Sequence, residues 1–464
     1  MEWKRIRREE DVLAVLPYLR QSEIRFCDYS AGVRFMWREA YRVDYAIAND
    51  TLLMKETTDA YRDAFFCPIG PDREGALRAA EAYGKAAGAL MFAYLDNAAV
   101  AEFAGRYPFL SVYNDRNWSD YLYAAEDMKY FRGKKLAGQR NHLNKFRRLY
   151  PEAVFCPLTA GDLPAVREML AAYREEAGAM DAFEREECFR AEELLSCYER
   201  FQMPAGCIRL NGKVISFCIG ERVGDTLMIH VEKGLRAYEG VYQATVSAFT
   251  QAFAGEGILY TNREEDCGIE GLRISKLQYH PAEIMEKNYL LVRTAFDGIA
   301  QNPGFTSARL NFSPFSEIEG AFYHALATDD ALNRHWGYDY REDIAEKDAS
   351  PARFMAFLKE LALKKEEFSF AVRLGSRPIG EVVLHNFDYH GGVEIGCRIA
   401  PSAQKNGYGR ESFAAAARYA KEALSARRLK AKCRKENAAS RRMIIACGFQ
   451  PAGEDETYFY FGKS

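Results

Sequence analysis

The chain has 464 residues, 48% hydrophobic and 28% charged, an ordinary globular balance with length for roughly two to four domains. Its formal net charge of -3 argues against the bulk electrostatics of a nucleic-acid binder. Eleven cysteines with no CxxC pair, and no HExxH, suggest neither a disulfide framework nor a zinc site, so no metal is expected.

In chain order, the amino terminus MEWKRIRREEDVLAVLPYLRQSE is charged and lacks the apolar core of a signal peptide. The most apolar stretch, GALMFAYLDNAAVAEFAG, is broken by Asp96, Asn97 and Glu102, so no transmembrane segment is expected and the reading is cytoplasmic with reduced thiols. EGALRAAEAYGKAA reads as a helix and ALMFAYL as a strand or helix continuation. In the basic segment Arg132 to Arg148, Leu136, Leu143, Phe146 and Tyr150 recur near helical spacing, with Lys134, Lys135, Arg140, Arg147 and Arg148 largely on other faces. That pattern is either a solvated helix face or a surface for RNA or an anionic head group.

An internal repeat follows. Arg209 to Pro281 and Arg373 to Pro451 both read strand, turn, strand, strand, glycine-containing loop, helix, short strand, Asn, helix, aromatic, Pro. A more worn copy is expected in the first 150 residues. The later copy carries APSAQKNGYGRESF, where Gly-x-Gly stands directly before a helix-forming run. Such glycines let the backbone turn tightly and approach a ligand, and the helix amino terminus adds positive potential, which suits a phosphate. The earlier copy has EKGLRAYEGVYQ instead, with Gly240 and no second glycine at that spacing.

On these residues the C-terminal third resembles the GNAT N-acetyltransferase superfamily. Ile399, Gln404, Gly407 and Gly409 match its motif A, and KENAASRRMIIACGF looks like the second motif of its ribosomal-protein N-terminal acetyltransferase branch. The resemblance implies acetyl-CoA as donor, with Ile399 on the pantetheine side and the pyrophosphate on Gln404, Lys405, Asn406, Gly407, Tyr408, Gly409 and Arg410. It also puts Asn437 and Ser440 against the cofactor, Ser440 near its sulfur. Acetyl transfer needs a neutral amine, and Glu394 in GGVEIGCRI is the candidate general base or else a solvated strand residue. Many relatives place a tyrosine where this chain has Ile444, which leaves the general acid unassigned.

A second resemblance covers about residues 1 to 293. DYLYAAEDMKYFRGKKLAGQRNHLNKFRRLYP, IHVEKG, TNREEDCGIEGLRISKLQYHP and EKNYLL look like the soluble aminoacyltransferase domain of phosphatidylglycerol lysyltransferases. That family is a tandem of GNAT-like folds akin to enzymes that take an aminoacyl group from tRNA. Candidate substrate residues there are His230, Glu232, Asn262, Arg263, Asp266, Arg273 and Lys276. Glu232 and Asp266 could hold an ammonium, and Arg263, Arg273 or Lys276 a phosphate or carboxylate. The other reading of these charges is a buried salt-bridge network, and the two can coexist.

Together the resemblances imply an α/β (α+β) chain of three GNAT-like modules with mixed, mostly antiparallel sheets flanked by helices. The expected division is 1–150 and 151–295 for the tandem, a linker at 296–308, and 309–464 for the acetyltransferase. The expected activity is acetyl-CoA-dependent N-acetylation of a small-molecule or peptide amine. The tandem would be either a tRNA-dependent aminoacyltransferase or a module that only binds the acceptor.

Overall fold

The computed structural model describes residues 2–178, 180–336, 338–342 and 350–464, and the chain divides into two compact units. The first comprises Met1–Gly84, Leu90–Ala101 and Val112–Leu290; the second comprises Lys85–Ala89, Glu102–Ser111 and Leu291–Ser464. Among the described residues, three mostly antiparallel sheets with flanking helices make up the fold, as the α/β reading anticipates. No described helix is long and apolar enough to cross a membrane.

The first sheet runs in the order Lys4–Arg5, Arg42–Ala48, Thr51–Thr57, Ala64–Phe65, Leu90–Leu95, Asn288–Val292, Leu110–Asn114. The second runs Glu283–Met285, Asp120–Ala124, Tyr260–Asn262, Thr226–Gly234, Lys213–Val223, Ala205–Leu210, Val154–Pro157. Strand Asp120–Ala124 and the helices Ala125–Tyr130 and Ala137–Leu149, all before residue 150, therefore share a core with the later residues of the second sheet. Tyr121, Met128, Leu143 and Phe146 pack there with Ile215, Leu227 and Phe249. Strand Asn288–Val292 returns the other way, into the first sheet.

The third sheet has eight strands, in the order Phe305–Thr306, Leu310–Pro314, Glu367–Leu374, Arg377–His385, Gly392–Ile399, Arg428–Arg434, Tyr458–Lys463, Gln450–Glu454. Helix Tyr408–Glu422 covers one face, burying Phe413, Ala416 and Ala420 against Phe370, Val382 and Val393. Helices Gly320–Ala327 and Pro351–Leu363 cover part of the other through Tyr323, Phe354 and Phe357 on Ala371. The strand period of two explains the division: Phe370 and Ala371 are neighbours in sequence and point to opposite layers.

The repeat is visible at residue level. In both copies the third strand runs parallel to the strand after the helix for only three positions. Thr226–Met228 pair with Tyr260–Asn262, and Gly392–Glu394 with Arg428–Lys430. Each intervening helix starts on a glycine with left-handed backbone, Gly240 at φ 83° and Gly407 at φ 80°.

Candidate active site

Past Glu394 the strand Gly392–Ile399 parts from its parallel neighbour, leaving a wedge at the middle of the third sheet. Ile399 is buried at the end of the diverging strand, and Pro401–Ala403 form a single tight turn. The loop that follows is held by its own amides. Gln404 Nε2 donates to the Ile399 carbonyl at 2.9 Å, and Asn406 Nδ2 donates to the carbonyls of Ala403 and Gln404 at 3.2 and 2.9 Å. Arg309 clamps it from the side, both terminal nitrogens donating to the Asn406 carbonyl at 3.3 Å while Nε binds Glu411 at 2.7 Å.

Gln404, Lys405, Asn406, Gly407 and Arg410 are exposed, and Tyr408 and Gly409 half-buried. The first turn of helix Tyr408–Glu422 supplies N–H groups without helical acceptors, a geometry suited to an anion. A Cβ added at Gly407 would meet only Arg309 Nη2, at 3.5 Å. At Gly240 it would lie 2.5 Å from the His142 carbonyl oxygen and 3.0 Å from Phe146 Cβ, because helix Ala137–Leu149 sits on that turn. The two copies share a turn, but only the second leaves it open.

The third-sheet face opposite helix Tyr408–Glu422 carries the ionisable side chains. Glu394, whose side chain is 12% exposed, accepts from Asn386 Nδ2 at 2.9 Å; His385 Nε2 and Lys432 Nζ lie 3.7 and 3.8 Å from its other oxygen. Burial lowers the pKa of His385, which keeps the imidazole neutral. Glu381 is tied to Arg398, whose guanidinium stacks over Trp336 at 4.8 Å. Asn437 caps the helix Ala438–Ala446 through the Ser440 amide at 3.0 Å, and Ser440 is half-buried beside it. Ile444 is 2% exposed in the core and contributes no hydroxyl.

The first unit contains a cavity of about 880 Å³. Of the residues singled out by sequence, His230, Glu232, Arg263 and Lys276 line it, whereas Asn262, Asp266 and Arg273 do not. Asp266 is fully buried and held by Arg273, by Tyr121 Oη at 2.5 Å and by Arg116 at 3.3 Å. Burial works against its charge, yet these donors bring its pKa down to about 2. Asn262 donates to Asp120 and to the Arg25 carbonyl, both at 2.8 Å. These three are held by side-chain and backbone partners outside the cavity lining, which the other four share.

Within that group Glu232 pairs with Arg263 at 2.9 Å. His230 sits between Glu264 at 2.8 Å and Glu221 at 3.3 Å. Burial opposes its charge, but the two carboxylates raise its pKa to about 9, so it is an imidazolium near neutrality. The Lys276 ammonium donates to the carbonyls of Arg263 and Glu264, and burial, then Arg263, lowers its pKa. Joined to the cavity wall through Asp28 and Glu265 lies a cluster the sequence did not announce. Lys287 Nζ contacts Asp28 at 2.5 Å, Asp120 at 2.8 Å and Glu265, with Cys27 Sγ at 3.4 Å. Cys27, Asp120 and Glu265 are spaced to suit a metal ion, but the Lys287 ammonium stands among them. These residues lie up to 260 positions apart, so no local motif could reveal them.

The basic segment forms helix Ala137–Leu149 with Leu143 and Phe146 buried. Arg140 is spent on the carbonyls of Phe131 and Gly133, Lys135 on Asp127 and Lys145 on Glu239. Arg147 and Arg148 are exposed.

Comparison with known proteins places both halves. Residues 20–292 match the family model described as phosphatidylglycerol lysyltransferase, C-terminal, and residues 309–450 match the acetyltransferase (GNAT) domain. An uncharacterised protein of Mycoplasmoides gallisepticum is 26% identical over 180 residues, 37% of this chain and 56% of its own length. An uncharacterised N-acetyltransferase of Bacillus subtilis is 25% identical over 159 residues, 34% of this chain and 89% of its own length. A solved structure of a conserved protein of unknown function from Bacteroides thetaiotaomicron covers 63% of this chain and all of its own, at 26% identity and a TM-score of 0.58. With more than half its length inside the first match, the chain belongs to the phosphatidylglycerol lysyltransferase C-terminal family and carries a GNAT acyltransferase domain behind it.

Proposed function

We propose that this protein is an acetyl-CoA-dependent N-acetyltransferase whose chemistry lies in the C-terminal unit. The observation that carries the reading is the open, glycine-started turn at Gly407, clamped by Arg309, at the mouth of the wedge between Gly392–Ile399 and Arg428–Arg434. Residues Gln404 to Arg410 fit a pyrophosphate because the helix amides lie behind a turn that carries no side chain at Gly407. Acetyl-CoA, when bound, supplies the activated acetyl thioester. Glu394, oriented by Asn386, is placed to take the proton of an acceptor amine, and neutral His385 beside it does not compete as a cation. Ser440 is the hydroxyl at the start of the last helix that can donate toward the leaving sulfur.

Calorimetry of CoA with the whole chain tests this reading. One site per chain is expected, lost in Gly407→Val, where a β-branched side chain would stand in left-handed backbone and block the loop. Two sites, or full affinity in Gly407→Val, would show that the pyrophosphate lies elsewhere.

The 880 Å³ cavity supports a second activity in the first unit, transfer of an aminoacyl group. Its wall combines Glu232, Arg263, Glu264 and Lys276, groups suited to an ammonium and to a developing negative charge. The closed turn at Gly240 fits a donor other than CoA.

A further inference from the structure

A second, smaller cavity of about 30 Å³ opens on the third sheet, walled by Trp336, Tyr338 and Tyr340 on one side and by Glu367, Glu381 and Arg398 on the other. Its volume suits one ammonium-sized group. Two of its three charges cancel, since Arg398 is committed to Glu381. Glu367 is different. Among the described residues its carboxylate accepts a long hydrogen bond from Ser369 Oγ at 3.4 Å, and no cation is paired with it. A carboxylate kept among aromatic walls without a counter-ion costs stability, which is a reason to look for the cation that would relieve it.

We infer that this cavity is a subsite for an aliphatic ammonium, and that the acceptor of the C-terminal unit is an amine carrying a second positive charge that Glu367 recognises. The inference rests on reading that unit as an amine acetyltransferase. Sheet register connects the two places. Glu367 stands opposite His385, and His385 opposite Glu394, so all three side chains share one face. Their backbones span two strand spacings, roughly 10 Å, the reach of a short alkyl diamine.

The charged neighbourhood agrees. Burial, then repulsion by Glu381, raises the Glu367 pKa to about 7; Arg398 opposes that shift and Glu366 adds to it, while His385 across the pair is neutral. A bound ammonium would ionise the carboxyl, so diamine binding near neutral pH should release on the order of half a proton per site.

The test uses the whole chain, α,ω-diamines of about three to eight carbons and their matched monoamines. Wild type should favour at least one diamine over its monoamine by about tenfold in kcat/KM, and Glu367→Gln should bring that ratio to about one. Calorimetry of the same diamine in buffers of different ionisation enthalpy should show proton release in wild type and none in Glu367→Gln. Glu367→Gln should melt no lower than wild type, because it removes a half-buried carboxyl that no cation pairs with. No diamine preference, a preference that survives Glu367→Gln, or diamine binding without proton release overturns the subsite. Calorimetry with CoA reports separately on the acetyltransferase reading, and diamine binding is read without turnover.

Discussion

Glu394 makes the sharpest residue-level claim. If it takes the acceptor's proton, Glu394→Gln keeps the Asn386 contact and the CoA loop but lowers turnover by roughly a hundredfold at neutral pH. The deficit should narrow toward about pH 10, where more of the amine is already neutral. A rate profile between about pH 6 and pH 10 checks this, and a mutant retaining most of its turnover would exclude Glu394 as the base. Glu381 is a poor substitute, because Arg398 already holds it. His230 gives a stability prediction. Its folded pKa of about 9 lies above the ordinary 6.5, so its contribution is complete below about pH 6.5 and lost as pH rises through 9. The shift corresponds to about 3 kcal/mol, and the melting temperature should fall across that window. In His230→Gln the curve should be lower and flatter; an unchanged slope would mean the imidazole is neutral at both ends.

At the scale of elements, the two glycine-started helices are a controlled comparison. Gly240 lies under helix Ala137–Leu149, whereas a Cβ at Gly407 would meet only the Arg309 guanidinium at 3.5 Å. Gly407→Ala should cost only the left-handed backbone term, about 1 kcal/mol. Gly240→Ala adds a contact of 2.5 Å with a carbonyl oxygen and should cost about 2–4 kcal/mol while leaving CoA affinity intact. Thermal melts of both variants decide it, and equal losses would contradict the packing difference. The turn from Gln404 to Arg410 was legible in sequence because it is local: its glycines, amides and following helix are contiguous. Arg309, which clamps that loop, was not, since it arrives from about a hundred residues upstream. Glu367 escaped notice for a related reason. A strand glutamate looks solvated until the aromatic residues that enclose it are known.

For the whole molecule, the repeat and the three-sheet architecture were readable because strand–strand–loop–helix order survives in the spacing of apolar residues and glycines. Which sheet a strand joins is a long-range choice that periodicity does not encode. Asp120–Ala124 and Asn288–Val292 each pair with a sheet built mainly from the other part of the tandem, and that exchange brings Asp120 and Lys287 together with Asp28. The seven candidates read from that part of the sequence divide between the cavity and other contacts. His230, Glu232, Arg263 and Lys276 reach the cavity, while Asp266 and Arg273 are consumed by each other and Asn262 by Asp120. The central claim concerns the other unit and is tested most directly by mass spectrometry of acetyl-CoA incubated with the whole chain and a panel of mono- and polyamines. The account predicts at least one amine gaining a single acetyl group, with the product absent in Gly407→Val; an unmodified panel, or a product that persists in that variant, would contradict it.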